Sequence, residues 1–289
     1  MFQVQQIESF DLPELQPYRT MRRQMDHRQQ GIFVAEGDKV VRRLLESSFE
    51  VVSVLLPEKW LSELTPVLQA RPEEIRVFVA EKARLETLTG FSMYQGLLAV
   101  GKIPAPLSLP QILDRGSRPW LLAAADGLSS AENLGALVRN CAAFGVQGLI
   151  VGETSCSPFL RRAVRSSMGA IFQIPVVEST SLVESLNELR ALRVRCIAAH
   201  PHIEGRTLSQ ANLTGDCCLG FGSEGAGLSP AILAACDEAV AIPMPPTVDS
   251  LNVGSAAAVF LYEATRQRGT ENASLHAIPQ SPDCAEPTK

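Results

Sequence analysis

The chain lacks a Cys-x-x-Cys pair, any apolar run near the length of a membrane span, and an overall excess of positive charge. Its seven cysteines (141, 156, 196, 217, 218, 236 and 284) are scattered, which argues against a zinc site and for reduced thiols in the cytosol. The ~20 consecutive apolar residues that a membrane helix needs are missing, and neither end has the pattern of a signal peptide. A cytoplasmic location is therefore expected. A net charge of −5 means that the chain as a whole does not announce a nucleic-acid partner, so local charge has to be examined. The glycines at 222, 225 and 227 fall as G-x-x-G-x-G, and neither G-x-x-x-x-G-K-[ST] nor a G-x-S-x-G elbow occurs, so dinucleotide, P-loop and serine-hydrolase readings have little support. His200 and His202 have no third ligand in view and read as loop residues, and no metal is expected.

What is present is a chain of 289 residues with 46% hydrophobic content, enough for proper cores in about two domains at roughly 100–200 residues each. After a tail at 1–14, residues 15–43 carry Arg19, Arg22, Arg23, Arg28, Lys39, Arg42 and Arg43 against Asp26, Glu36 and Asp38, a local net of +4. Such a patch either grips phosphates or forms a solvated helix face. Strand-like runs at 51–56, 75–79 and 96–100 make 15–103 a small α/β unit. Pro104, Pro106, Pro110, Gly116 and Pro119 then interrupt any periodic pattern, which places a linker at 104–118.

From Trp120 onward, strand and helix patterns alternate. Strands are expected at 120–125, 148–151, 174–177, 194–199, 217–221 and 238–242, and helices at 133–144, 182–192, 230–235 and 251–268. Ser157-Pro158 and Ser229-Pro230 each read as an N-cap followed by proline at the first helical position. Alternation of this kind implies a mostly parallel sheet covered by helices. The last helix is small and apolar on most sides, so a buried position, against the core or a second subunit, is expected. Residues 269–289 read as a disordered tail.

Three segments carry the chemistry. The first is Asp126-Gly-Leu-Ser-Ser-Ala-Glu-Asn133-Leu-Gly-Ala-Leu-Val-Arg139-Asn-Cys-Ala-Ala-Phe-Gly145; the second is Phe221-Gly-Ser-Glu224-Gly-Ala-Gly227-Leu-Ser; the third is Ile242-Pro-Met244 with Ser250-Leu-Asn252-Val. A glycine loop after a strand is by itself either a tight turn or a ligand site. In this order and near this spacing, the set resembles the three motifs of the SpoU (TrmH-like) RNA ribose methyltransferases of the SPOUT superfamily, over about residues 119–268. Arg165-Ser-Ser-Met-Gly-Ala170 is similar to family sequence between the first two motifs. Phe33-Val-Ala-Glu36-Gly37 and Gln95-Gly-Leu-Leu-Ala-Val100 resemble the small RNA-binding domain that precedes the catalytic domain in several members.

The resemblance implies an α/β fold with a trefoil-knotted, mostly parallel sheet domain at 119–268, preceded by the small α/β RNA-binding domain at 15–103. It implies a homodimer that binds S-adenosylmethionine against Gly222, Ile242, Met244 and Leu251. It also implies that the reacting group involves Asn133, Arg139, Glu224, Ser250 and Asn252, and that the seven basic residues of 15–43 contact RNA. Methyl transfer from a sulfonium to a ribose 2′-hydroxyl is an in-line displacement, so alignment supplies much of the acceleration. A guanidinium keeps its proton to about pH 12, so Arg139 reads as a phosphate clamp that stabilises developing alkoxide charge, oriented by Glu224, rather than as the base. The other polar residues read either as ribose and loop contacts or as helix caps.

Two departures from the usual pattern stand out: Ser130-Ala131 where the family commonly has Asp-Pro, and Pro246 where it commonly has glycine, which alters the cofactor loop. The function expected is 2′-O-methylation of ribosomal RNA. Transfer RNA is the alternative substrate, and a non-catalytic RNA-binding or assembly protein that retains the fold is the alternative class.

Overall fold

The computed structural model of the protein describes residues 2–21, 23–89, 96–201, 206–245 and 247–269. Arg22, His202, Pro246 and residues 270–289 of the expected tail lie outside them.

The first part of the chain folds as β1 (Phe2–Gln6), α1 (Gln16–Arg19), α2 (Gln24–Gln29), β2 (Ile32–Glu36), α3 (Asp38–Glu46), β3 (Val51–Leu56), α4 (Leu61–Gln69), β4 (Ile75–Val79), α5 (Lys82–Thr89) and β5 (Leu98–Lys102). These strands form a five-stranded sheet in the order β1-β4-β3-β5-β2, with β5 antiparallel to both its neighbours. One face is covered by Val40, Val41, Leu44 and Leu45 of α3, apolar neighbours at helical spacing, and the other by Leu15, Tyr18 and Met21. The tail expected at 1–14 is corrected here. Phe2–Gln6 is an edge strand parallel to β4, and its Phe2-Gln-Val4-Gln alternation, short and mostly exposed, is a weak signal that reads equally well as a tail.

The second part runs α6 (Leu109–Arg115), β6 (Leu121–Ala125), α7 (Ala131–Ala143), β7 (Gly148–Val151), α8 (Arg161–Ser166), β8 (Val176–Glu178), α9 (Leu182–Ala191), β9 (Arg195–Ala199), β10 (Arg206–Thr207), β11 (Cys217–Phe221), α10 (Pro230–Ala235), β12 (Glu238–Ala241) and α11 (Val253–Gln267). All seven strands pair in parallel, in the order β10-β12-β9-β11-β6-β7-β8. Every residue of β6, β7 and β11 is buried, which is why these strands read as unbroken apolar runs. α7 and α11 cover one face, and α6, α9 and α10 the other.

Two further expectations change. The linker at 104–118 contains α6, whose Leu109, Ile112 and Leu113 are buried; Pro110 sits in its first turn, where a missing N–H costs nothing. Ser229 does precede α10 with proline first, but α8 begins at Arg161, so Ser157-Pro158 opens a turn instead.

The two sheets share a core. Phe33 of β2 and the nearby Phe49 stack with Phe159 and Phe172 from the other part, at ring-centroid distances of 5.3–6.1 Å across the junction. At the far end of the molecule Arg268 donates to the main-chain oxygens of Pro119 and Trp120, at 2.8 and 3.0 Å, and of Leu213 and Gly215, at 2.9 and 2.6 Å. That pins the C-terminus of α11 beside the start of β6. Fifteen residues, about 22 Å of helix, then deliver its N-terminus to the carboxyl ends of the strands.

Candidate active site

The chain leaves β11 through a turn that its glycines make possible. Ser223 and Gly227 exchange two main-chain hydrogen bonds, at 3.0 and 2.9 Å, folding the loop back on itself. A Cβ at Gly222 would lie 2.0 Å from the carbonyl carbon of Gly227, so no side chain fits there. Gly225 and Gly227 turn through φ of 85° and 68°, a conformation other residues rarely adopt. Gly220, which with Gly222 and Gly225 completes a G-x-G-x-x-G spacing, lies inside β11, and the strand runs on into this turn rather than into a helix. Beneath it, the buried Asp126 at the end of β6 accepts from Ser229 N (2.7 Å) and Thr154 Oγ1 (3.2 Å), tying three strand ends together.

The turn presents Glu224 to Asn252. Asn252 is the N-cap of α11, and its Oδ1 accepts from Gly254 N at 2.9 Å. Its Nδ2 donates to Glu224 Oε1 (2.5 Å) and Asn133 Oδ1 (3.1 Å), so one amide caps the helix and links all three motifs. Asn133 itself is placed by the cap of α7, where Ser130 Oγ accepts from its main-chain N at 3.3 Å. Ser130-Ala131 thus starts the helix in place of the usual pair. Asn140, two turns further along, donates to Gly254 O at 2.5 Å and locks α7 onto α11.

A cavity of about 470 Å³ opens between the carboxyl ends of β9, β11 and β12 and the N-terminal half of α11. Gly222, Glu224, Ile242, Met244, Ser250 and Leu251 all line it, with Phe221 and Phe260 as its floor. The volume lies within the ~300–1,000 Å³ usual for small-molecule sites, and the crevice beyond the strand ends is where open parallel sheets bind ligands. His200, Asp249, Val253 and Ala256, which the motifs do not mark as site residues, also line the cavity. Only their place just after a strand or beside Asn252 could have flagged them.

Arg139 stands apart from this network. It is exposed on α7, and among the described residues it has no hydrogen-bond or ion-pair partner. The expectation that Glu224 orients its guanidinium is corrected: Glu224 is engaged by Asn252, because α11 brings the amide to the turn while Arg139 points off a different side of α7. The expected RNA-contacting patch also divides. Arg28 pairs with Glu178 (2.8 Å), Arg42 pairs with Glu63 and lies over the Trp60 ring, and Arg19 and Arg43 donate to the carbonyls of Phe10 and Met168. Lys39 and Arg23 are exposed.

Burial raises the thiols, Cys196 up to about 12 and Cys236 up to about 11, so neither offers a thiolate nucleophile near neutral pH. The polar side chains at the cavity are the carboxylates of Glu224 and Asp249, the hydroxyls of Ser223 and Ser250 and the His200 imidazole, with the Asn133 and Asn252 amides bonded at its rim, a set suited to holding and orienting.

Comparison with known proteins decides the family. The model of the SpoU rRNA Methylase family matches residues 121–262, the stretch that holds the sheet and all three motifs. An uncharacterized tRNA/rRNA methyltransferase of Mycobacterium tuberculosis is 32% identical over 272 residues, 91% of this chain and 92% of its own length. The chain belongs to the SpoU rRNA methylase family. The 23S rRNA (guanosine-2'-O-)-methyltransferase RlmB of Shewanella oneidensis is 32% identical over 80% of this chain and 96% of its own. The crystal structure of the SpoU methyltransferase AviRb from Streptomyces viridochromogenes, in complex with the cofactor AdoMet, superposes with a TM-score of 0.76 at 28% identity. That match covers 89% of this chain and 99% of AviRb, so the shared architecture includes the five-stranded sheet as well as the family domain. No helix among the described residues is long and apolar enough to cross a membrane.

Proposed function

We propose that this protein is an S-adenosylmethionine-dependent RNA methyltransferase that modifies a ribose 2′-hydroxyl of ribosomal RNA. The observation that carries the reading is the Asn133–Asn252–Glu224 hydrogen-bonded set at the rim of the strand-end cavity in a member of this family. The RlmB relative is named for 2′-O-methylation of 23S rRNA, and AviRb binds AdoMet, which supports both the substrate and the cofactor.

The cavity suits that cofactor. The glycine turn bares main chain where a flat adenine can lie close, and Ile242, Met244 and Leu251 supply apolar walls. When bound, the cofactor supplies an electrophilic methyl group. Asn252 and Glu224 hold the two loops that flank the cavity in register, Ser250 offers a hydroxyl toward the ribose, and the whole set aligns the acceptor oxygen. Arg139, whose guanidinium has no partner among the described residues, clamps a neighbouring phosphate and stabilises charge on the alkoxide as the proton leaves to substrate phosphate or water.

The same reading takes the chain as a cytoplasmic homodimer, with the five-stranded unit gripping RNA and 119–268 carrying cofactor and chemistry. Val259 and Tyr262 lie exposed three residues apart on α11, with Val248 and Leu251 exposed ahead of the helix, an apolar strip that a second copy would cover. Trefoil threading of 217–268 belongs to the reading too, supported by the insertion of β11 between β6 and β9. The test is transfer of labelled methyl to unmodified ribosomal RNA and mapping of the product. No transfer, together with no calorimetric S-adenosylmethionine binding in the presence of RNA, would leave only the non-catalytic alternative.

A further inference from the structure

The short helix α8 joins the two parts of the molecule. On one flank it lies against α7 at Gly135, where a Cβ would come 1.9 Å from Ser166 Oγ and 2.5 Å from Ala163 O. Arg162 reaches over that seam toward Glu132 at 3.6 Å. Arg139 follows Glu132 by seven residues, about two turns, and so emerges from the same side of α7. On the other flank, the buried carboxylate of Glu36 receives Arg161 and, at 2.7 Å, Arg165. Arg43 of α3 donates to Met168 O at 2.6 Å, just past the end of α8, and Lys39 lies one turn before it on the same face.

Lys39, Arg43, Arg165, Arg162 and Arg139 are all exposed. Five cations from three helices thus line the junction, with Glu46 and Glu132 on the same faces and Glu36 buried beneath Arg165. Arg165 gives one edge of its guanidinium to Glu36 while 55% of its side chain stays accessible, so the free edge is held ready for a second anion.

We propose that this band is a phosphate track along which RNA passes from the five-stranded unit to Arg139, with α8 as its centre. The proposal rests on the RNA methyltransferase reading and relocates the grip on RNA from α1 and α2 to the junction. Arg42, engaged with Glu63 and lying over the Trp60 ring, contributes little to it.

The test measures binding of the full-length protein to 23S ribosomal RNA transcribed in vitro across a salt series, with calorimetric S-adenosylmethionine titration alongside. Lys39→Glu with Arg162→Glu, which leaves both arginine pairs of the buried Glu36 in place, is expected to weaken RNA binding at least tenfold at near-physiological salt. It should also lower the salt slope by about 0.7–0.9 for each phosphate no longer neutralised, and leave cofactor affinity and melting temperature unchanged. A matched reversal at the exposed Arg115 and Arg193, on the α6 and α9 side of the sheet, should change RNA affinity less than twofold and so controls for net charge. Wild-type affinity and slope in the Lys39→Glu, Arg162→Glu variant, or an equal loss in the matched control, would overturn the track while leaving the enzyme reading in place. A wild-type chain that binds neither RNA nor cofactor would overturn both.

Discussion

Single side chains separate chemistry from scaffolding here. Arg139 makes no hydrogen bond or ion pair among the described residues, so its removal should cost the fold little while removing the group proposed to act in the transition state. Arg139→Ala is expected to lower kcat more than tenfold, a loss above about 1.4 kcal/mol, with the S-adenosylmethionine Kd and melting temperature unchanged. Arg139→Lys should fail as well, because a point charge does not reproduce a planar fork. Single-turnover methyl transfer is the measurement. His27 illustrates the opposite case. It is buried beside Thr20 at 3.0 Å, and burial outweighs Asp26 and the Pro17 carbonyl to hold its pKa below the ordinary 6.5. The unfolded chain therefore binds a proton that the folded chain refuses. The stability from neutral His27 is present above pH ~6.5 and is lost as pH falls through and below that value. Urea midpoints at pH 5.5 and 7.5 should differ in this direction for the wild type, and the difference should shrink in His27→Gln.

Among the elements, α11 has two ends with different tasks. Its C-terminus is anchored by Arg268 on four main-chain carbonyls, and its N-terminus carries Asn252, which caps the helix and holds Glu224 and Asn133. These two functions of Asn252 are separable. Serine is also a good N-cap, so Asn252→Ser should keep stability within about 0.5 kcal/mol, but its short hydroxyl cannot reach Glu224, and kcat should fall at least tenfold. Asn252→Ala should lose the cap as well, about 0.5–2 kcal/mol in denaturant melts. Equal activity in the serine variant and the wild type would show that capping is the whole role of Asn252.

In the whole molecule, the junction between the sheets behaves as an interior. Glu36 is 5% exposed and neutralises Arg161, whose own side chain is 12% exposed, while four phenylalanines fill the space beside them. Glu36→Ala leaves a buried guanidinium unpaired and is expected to cost about 3–5 kcal/mol in denaturant melts. For the same reason residues 104–289 alone should not behave as an independent domain. They would expose Phe159 and Phe172 to water and should melt well below the full chain or aggregate, which scanning calorimetry checks; an unchanged melting temperature would mean that the halves are only tethered.

Six of the seven strands of the parallel sheet and the glycine turn after β11 were legible in the amino-acid order alone, because both are written in local pattern; the two-residue β10 is too short to carry one. Buried parallel strands appear as apolar runs, helices as periodic stripes, and Gly222, Gly225 and Gly227 as a turn that only glycine can make. Local pattern did not reveal β1, whose single Phe2-Gln-Val4-Gln alternation is too short to stand out, or α6, whose helix start is marked by a proline that reads equally well as a linker. Nor could it assign partners. Glu224 pairs with Asn252 rather than Arg139, and the basic residues of 15–43 divide between internal ion pairs and an open face, because each outcome depends on contacts between segments 21 to 150 residues apart. Residue types and spacing specify what chemistry is available. Which charge is spent inside the molecule and which is left exposed is decided only when α7, α8 and α3 come together across the junction.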